Sequence, residues 1–412
     1  MESISFISSK KELISFSILL SIIFTFNVIY QYNNYKKLKS EEIYSSKFLI
    51  ENIYDKRSFN VLKLKNNDFT FYTSVEKNKK ISKLQNINIG FLTLNIRFLD
   101  YLKGFYAKSI FIDTITTKNT LKTKIYKNIN KSHKDATIKE FFNALFLAIP
   151  VSKNLREIFS NYAISHLIAI SGFHLGLISF IVYILLYLPY SYFHSKFFPY
   201  RNRKFDIVLL TCIFLFSYLI FLDLIPSLFR AFVMSILAIY FLRSNIKLIS
   251  YGNLLLTFVL IISFFPAYLF SLSFWFSIIA VFYIFLYVQY FKNIPKIISI
   301  LFFNFWIFLA FNPIVHYFFY NTAYEQLLSP ILTLVFVLFY PLELFLHLIS
   351  YGDLLDKIIL EFFSYNISSF EYITPFYFFI LYISVSLLSI VDKRAFLLLN
   401  ILFVLFNIHL YL

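Results

Sequence analysis

The chain has 412 residues, 59% of them hydrophobic, with a mean hydropathy of +0.70 and a formal net charge of +16. That composition excludes an ordinary soluble domain and reads as a multi-span membrane protein. The single cysteine, Cys212, excludes an intramolecular disulfide, and the sequence contains no CxxC, HExxH or Walker loop.

The charge is unevenly spread. Between Lys36 and Asp135 there are 21 Lys and Arg against 9 Asp and Glu, a balance of +12, while the other residues carry +4. Such a segment attracts polyanions or anionic headgroups, or is a well-solvated basic surface. Aromatics make up 22% of the chain, so a single aromatic says little about a stacking site.

Lys10 and Lys11 precede an apolar run from Leu13 to Tyr30 with no small-residue cleavage pattern after it, which predicts an uncleaved anchor helix within residues 1–35 starting in the cytoplasm. Residues 36–135 read as one domain, with β structure from about 45 to 125. Phe59 to Lys65 and Asp68 to Ser74 flank a plausible hairpin turn at Asn66-Asn67, and Ile87 to Ile96 and Tyr106 to Thr117 are further strands. Four or five short strands with one small helix fit an OB-like β-barrel, a fold that often binds oligonucleotides. Residues 136–163 turn helical: an apolar stretch too short to span ends at Pro150, and Leu155, Ile158, Phe159 and Tyr162 mark an amphipathic helix.

Ile164 to Leu188 is long enough to cross a bilayer as one helix, yet its first half carries His166, Ser171, Gly172, His174 and Gly176. Polar groups at membrane depth are costly, and small residues admit a second backbone. The stretch reads either as a packing face with satisfied histidines or as the polar wall of a pathway. Ser171-Gly172 would lie in the middle of the helix and bend it, with His166, Ser171 and His174 lining a cavity. Further spans are expected at 206–222, 226–242, 253–268, 271–290, 297–312, 326–349, 373–391 and 395–411, which makes residues 164–412 a polytopic domain. Basic loops at Tyr190 to Lys204, at Arg243 with Lys247, and at Lys292 with Lys296 fall on one side. Beyond 296 the parity inverts, because Lys393-Arg394 would lie outside; a re-entrant segment between Asn312-Pro313 and Pro330 would repair it. Glu343 and His347 share a helical face. Arg230 either snorkels or faces inward, with Asp223 as a candidate partner.

Ser165-His-Leu-Ile-Ala-Ile-Ser-Gly-Phe-His-Leu-Gly-Leu177 resembles the signature of the ComEC family, inner-membrane competence proteins that import single-stranded DNA in natural transformation. Ser152-Lys-Asn-Leu-Arg156 through Asn161-Tyr-Ala163 resembles the lead-in to the same helix, and Phe98 to Ala107 resembles the end of the family's β domain. Pro226-Ser-Leu-Phe-Arg-Ala-Phe232 is similar to the family's Pro-x-x-x-Arg-Ala motif. Leu272 to Val281 is similar to its Ser-Phe-Gln-Leu-Ser motif, with Trp275 where the pattern has Gln and with Ser273 and Ser277 kept. The resemblance implies a multi-span α-helical membrane protein with an N-terminal extracytoplasmic OB-like β-barrel domain. It implies a channel rather than an enzyme, without cofactor or metal. Its partners would be single-stranded DNA, membrane lipid, a periplasmic DNA-receptor protein and a separate cytoplasmic ATP-driven motor. Candidates for the DNA path are His166, Ser171, Gly172, His174, Arg230, Ser273, Ser277, Glu343 and His347. No His-x-His-x-Asp-His cluster is present, so a short form without the family's C-terminal metallo-β-lactamase-like domain is expected. The alternatives are a transporter of another anionic substrate or an intramembrane hydrolase. Against hydrolysis, no carboxylate in the stretch orients either histidine.

Overall fold

The computed structural model describes residues 10–66, 68–78, 81–115, 120–243 and 250–412. It opens on α1 (Lys10–Lys39), a helix of 30 residues. At about 1.5 Å per residue such a helix measures roughly 45 Å, longer than the about 30 Å hydrocarbon layer. Its last turns are used elsewhere: Tyr35 and Leu38 pack into the core of the β domain, and the Tyr35 hydroxyl donates to the Ile96 carbonyl at 2.9 Å.

The β domain is a curled sheet of six strands, β1 (Ile43–Asp55), β2 (Phe59–Lys65), β3 (Thr70–Glu76), β4 (Asn86–Leu92), β5 (Phe105–Tyr106) and β6 (Ser109–Thr114), with α2 (Phe98–Lys103) between β4 and β5. The alternation of apolar and polar residues sends Leu62, Leu64, Phe71, Ile87, Ile89 and Phe91 inward. β1 pairs antiparallel with β4 over Ile43 to Leu49 and with β2 over Leu49 to Asp55. The register slips between Ile50 and Asn52, where the strand bends from one neighbour to the other. β5 runs parallel to β3, and β6 runs antiparallel to β4. Only Ala107 and Lys108 separate β5 from β6, so one short stretch of chain connects the two edges of a sheet curled into a half-barrel, compatible with an OB-like fold. Gly104 takes φ +92° ahead of β5, which explains a glycine at that point. Asn66 Oδ1 accepts from the Asp68 and Phe69 N–H groups at 2.9 and 2.8 Å, an Asx turn at the expected hairpin; Asn67 lies outside the described residues.

β structure ends earlier than the expected position near 125. Residues Leu121–Ser132 form a helix, α3, capped by Thr120, because its apolar positions repeat at helical rather than alternating spacing. α4 (Ala136–Leu147) follows, capped by Asp135 and stopped by Ala148 in the left-handed region. Then come α5 (Lys153–Asn161), α6 (Ser165–Ile168), α7 (Gly172–Phe197), α8 (Arg203–Phe221), α9 (Pro226–Arg243), α10 (Tyr251–Phe264), α11 (Leu272–Tyr290), α12 (Lys296–Phe318), α13 (Ser329–Leu348), α14 (Asp356–Ser364), α15 (Phe376–Leu388) and α16 (Lys393–Tyr411). Seven of the described helices are long and apolar enough to cross a membrane. The chain divides into two compact units. One comprises Met1–Lys153, Cys212–Leu248 and Leu255–Trp275; the other comprises Asn154–Thr211, Ile249–Leu254 and Phe276–Leu412.

Within the second unit the parity problem resolves, but not where the sequence suggested. α12 continues unbroken through Asn312 and Pro313 to Phe318. β7 (Asn321–Thr322) then pairs with β8 (Phe370–Glu371), so the excursion through α13 and α14 starts and finishes at the same end of the bundle. α15 returns along α12, its Tyr382 hydroxyl donating to the Ala310 carbonyl at 2.6 Å. At the far end, Tyr290 donates to the Ser389 carbonyl at 2.7 Å and Gln289 to the Ile390 carbonyl at 3.1 Å. Lys292, Lys296, Lys393 and Arg394 therefore share one end, as the positive-inside rule demands. With Cys212 replaced by serine, single cysteines at 292 and 393 are expected to react with an impermeant maleimide from the same membrane face, and a cysteine at 371 from the opposite face. Labelling of 371 and 393 from one face would contradict this topology.

Candidate functional site: a broken signature helix in a polar network

The stretch expected to be one helix from Ile164 is interrupted. α6 ends at Ile168, Ala169 to Ser171 are extended or irregular, and α7 begins at Gly172. Ser171 is thus the N-cap of α7 rather than a residue of a helix middle. The Ser171 N–H donates to His174 Nδ1 at 3.3 Å, and Ser171 Oγ stands 3.4 Å from the same nitrogen. This is a capping box in which histidine takes the place usually held by Glu or Gln. The His174 ring is fully buried against Phe336 and Tyr340 of α13, at centroid separations of 5.5 and 5.0 Å. His166 is exposed, and its Nδ1 turns back to the Ala163 carbonyl at 3.0 Å. The three residues therefore do not share one cavity wall: His174 and Ser171 cap α7, and His166 closes the preceding turn.

That preceding turn is held by side chains from distant sequence. Ala163 has φ 51°, and its carbonyl accepts from Ser329 Oγ at 3.0 Å. Gln326 Nε2 donates to the Ser160 carbonyl at 3.1 Å, and Asn321 Nδ2 donates to Asn161 Oδ1 at 2.5 Å. The network continues inward: Tyr411 donates to Gln326 Oε1 at 3.1 Å, while Asn312 Nδ2 reaches Asn407 Oδ1 at 2.6 Å and the Tyr411 oxygen at 3.3 Å. Pro313 has no N–H to give the Leu309 carbonyl four residues back, and Asn407 Nδ2 donates to that carbonyl at 2.9 Å instead. Of these residues the sequence singles out only the Asn161 turn and Asn312-Pro313. The others carry a usable signal, amides inside apolar helical runs, but their partners are far away in the chain.

The remaining candidates fall into separate places. Glu343 is fully buried in α13, and His347 Nδ1 lies 3.3 Å from its Oε2 and 2.8 Å from its carbonyl, as the spacing predicts. A Cβ at Gly352 would meet the His347 ring at 2.9 Å, so the glycine lets the turn after α13 close over it. Ser277 is half-buried in α11. Arg230 and Ser273 belong to the other unit. Ser273 is exposed, 3.0 Å from the Ser271 hydroxyl. Arg230 is only 4% exposed, so it does not snorkel, and its Nη1 faces Met234 Sδ at 3.2 Å. Asp223 is not its partner. The Asp223 carboxylate takes Lys122 Nζ at 2.6 Å, and the Asp223 carbonyl takes Lys65 Nζ at 3.3 Å. Asp223 and Leu224 both sit in the left-handed region, with φ of 60° and 54°, which turns the carboxylate toward α3. No group of three His, Cys, Asp or Glu side chains placed to hold a metal occurs among the described residues.

A β domain on an anchor helix, followed by a polytopic bundle with a broken signature helix, defines a multi-pass membrane protein of the transport type. The family model described as "Competence protein" matches residues 150–411, more than half of the chain, so the protein belongs to the competence (ComEC) family and has a role in DNA uptake. The match begins at Pro150, after the barrel and its anchor. Searches of curated proteins and of solved structures return no match.

The polar network yields a stability test. Asn407→Leu orphans the Leu309 carbonyl and leaves Asn312 only its longer contact with Tyr411, and each buried unsatisfied group costs about 1–3 kcal/mol. Asn407→Leu is expected to lower the unfolding temperature in detergent clearly. Adding Pro313→Ala should recover part of that loss, since an alanine there restores an N–H for the Leu309 carbonyl. Ser171→Ala removes one cap and should cost only about 1 kcal/mol. An additive Pro313→Ala, Asn407→Leu pair would refute the assigned role of Asn407.

Proposed function

We propose that this protein is the inner-membrane channel that imports single-stranded DNA during natural transformation. In this reading the barrel is extracytoplasmic and Lys292, Lys296, Lys393 and Arg394 are cytoplasmic, a reading that the positive-inside rule supports. The observation that carries the reading is the interruption of the family signature at Ala169 to Ser171 inside an otherwise apolar bundle. Non-helical backbone at membrane depth is tolerated only where it is buried in protein or lines a water-filled path, and transporters place such breaks at their substrate. Family membership in DNA uptake names the substrate class.

The barrel supports the same reading. Tyr106 is exposed and Tyr54 and Tyr72 are half-exposed, with Tyr54 and Tyr72 ring centroids 6.4 Å apart. Exposed rings on strands offer stacking surfaces that tolerate any base. Lys63 lies between β1 and β3 and binds Glu51 at 2.6 Å. Burial opposes its charge, but Glu51 outweighs that and keeps the ammonium above its usual range. Burial likewise pushes the Tyr72 hydroxyl up, so both groups hold their ordinary protonation at neutral pH.

Arg230 is the path residue with the plainest expectation, because a buried guanidinium with no carboxylate partner among the described residues is costly unless a ligand anion visits it. The strand's phosphates would supply that anion. Since the chain has no ATP-binding motif, pulling falls to a separate cytoplasmic motor, and delivery to an external receptor. In cells given labelled DNA, deletion of the gene should leave surface uptake intact and stop cytoplasmic arrival. Arg230→Met should reproduce that defect at normal membrane levels of the protein. Unimpaired transformation by an inserted Arg230→Met protein would remove Arg230 from the path.

A further inference from the structure

The basic excess of the N-terminal region is divided between the β domain and α3. On the β1–β2–β3 surface Lys63 is engaged with Glu51 at 2.6 Å, Lys77 with Asp55 at 2.7 Å and Lys65 with the Asp223 carbonyl at 3.3 Å, while Lys47, Lys56 and Arg57 are exposed but scattered along β1 and the turn that follows it. α3 is different. Its sequence, Leu-Lys-Thr-Lys-Ile-Tyr-Lys-Asn-Ile-Asn-Lys-Ser, contains no acidic residue. Lys124, Lys127 and Lys131 are exposed, and none of them has an ion pair among the described residues. At about 100° per residue these three positions fall within an arc of about 60° and span about 10 Å of helix. They form one rail of unneutralised cations.

A basic amphipathic helix could serve a membrane surface or a polyanion, and the packing of α3 decides between them. Lipid binding needs the apolar face free to enter the headgroup boundary. Here that face is occupied by α4: Ile129 is buried, Asn143 Nδ2 donates to Asn130 Oδ1 at 2.8 Å, and His133 stacks on Phe142 at 4.6 Å. Ile125 and Tyr126 are half-buried, so beyond the exposed Leu121 of the first turn the open surface of α3 is its lysine face. The first turn is fixed in place by the Lys122–Asp223 ion pair, in the loop that opens α9, three residues before Pro226 and seven before the buried Arg230.

We infer that α3 is a nucleic-acid backbone rail: Lys124, Lys127 and Lys131 bind the phosphates of a single strand and lead it along α3 toward the α8–α9 loop. This rests on the channel reading above and relocates the electrostatic contact from the barrel to the helix that follows it. Recognition is by phosphate alone and therefore independent of base sequence.

The test uses the full chain in nanodiscs of zwitterionic lipid and a fluorescein-labelled dT30 probe, titrated over a salt series. For single strands the slope of log K against log salt is about −0.7 per phosphate contact, so losing three contacts should flatten it by about two. The variant Lys124→Gln, Lys127→Gln, Lys131→Gln keeps Ile129 and Asn130, and its elution volume should equal the wild type's. It is expected to show the flattened slope. Lys47→Gln, Lys56→Gln, Arg57→Gln removes as many exposed cations from the barrel and is expected to change the slope by less than half as much. Equal effects of the two triple variants, or an unchanged slope in the α3 variant, would overturn the rail while leaving the channel reading intact. Loss of binding to vesicles containing anionic lipid, with dT30 binding unaltered, would assign α3 to the membrane instead. A wild-type chain that fails to bind dT30 at all would overturn the channel reading itself.

Discussion

The constraint on which this structure most depends is that a bilayer offers no hydrogen-bond partner to backbone. Wherever the chain leaves regular helix inside the bundle, another segment must supply the missing partner. At the turn before the signature this is done by Ser329, Gln326 and Asn321, which bind the Ala163 carbonyl, the Ser160 carbonyl and the Asn161 amide. At Pro313 it is done by Asn407. Because these partners come from β7, the Tyr324–Leu328 turn, α13 and α16, the break in the signature is coupled to the geometry of the whole C-terminal bundle.

The two parts of the chain solve the packing problem differently. The barrel is closed by aromatic rings: Phe48, Phe69, Phe71, Phe91 and Phe105 meet at centroid distances of 4.3 to 6.3 Å. In water, burying those rings drives the fold directly. Between helices in lipid that drive is absent, and the second unit relies on interlocking rings around Trp306 together with hydrogen bonds from Tyr283, Tyr382 and Asn407. A composition rich in Phe, Tyr, Ile and Asn suits both tasks, which is why composition alone does not separate them.

Charge follows the same division of labour. In the second unit Lys292, Lys296, Lys393 and Arg394 share one end, and in the first unit Arg230 is buried one turn into α9. Outside the bundle, acidic residues are spent on the barrel surface, as caps, or on loops: Glu51 and Asp55 face lysines, Asp135 caps α4, and Asp223 holds Lys122. α3 is left as the cationic helix without a counter-charge of its own.

By itself the sequence determined the multi-span helical class, the N-terminal β domain, the family and the Glu343–His347 pair, because each follows from a local period or a contiguous motif. Strand spacing was legible at β2, β3 and β4 for the same reason, whereas the long bent β1 was not singled out, since its two halves pair with different neighbours. What only the tertiary structure decided is non-local. Ser165 to Leu188 is apolar enough for one helix, yet it breaks at Ala169 to Ser171, with His174 turning back to cap the new helix against α13. Asp223 stands seven residues from Arg230, yet the left-handed backbone at Asp223 and Leu224 turns it to Lys122. The parity after α12 depended on a two-residue strand pair, Asn321–Thr322 with Phe370–Glu371, separated by more sequence than any periodicity reaches. Hydrophobic periodicity reports which face a residue prefers; it carries no information on which distant amide or carboxylate will be there to satisfy it.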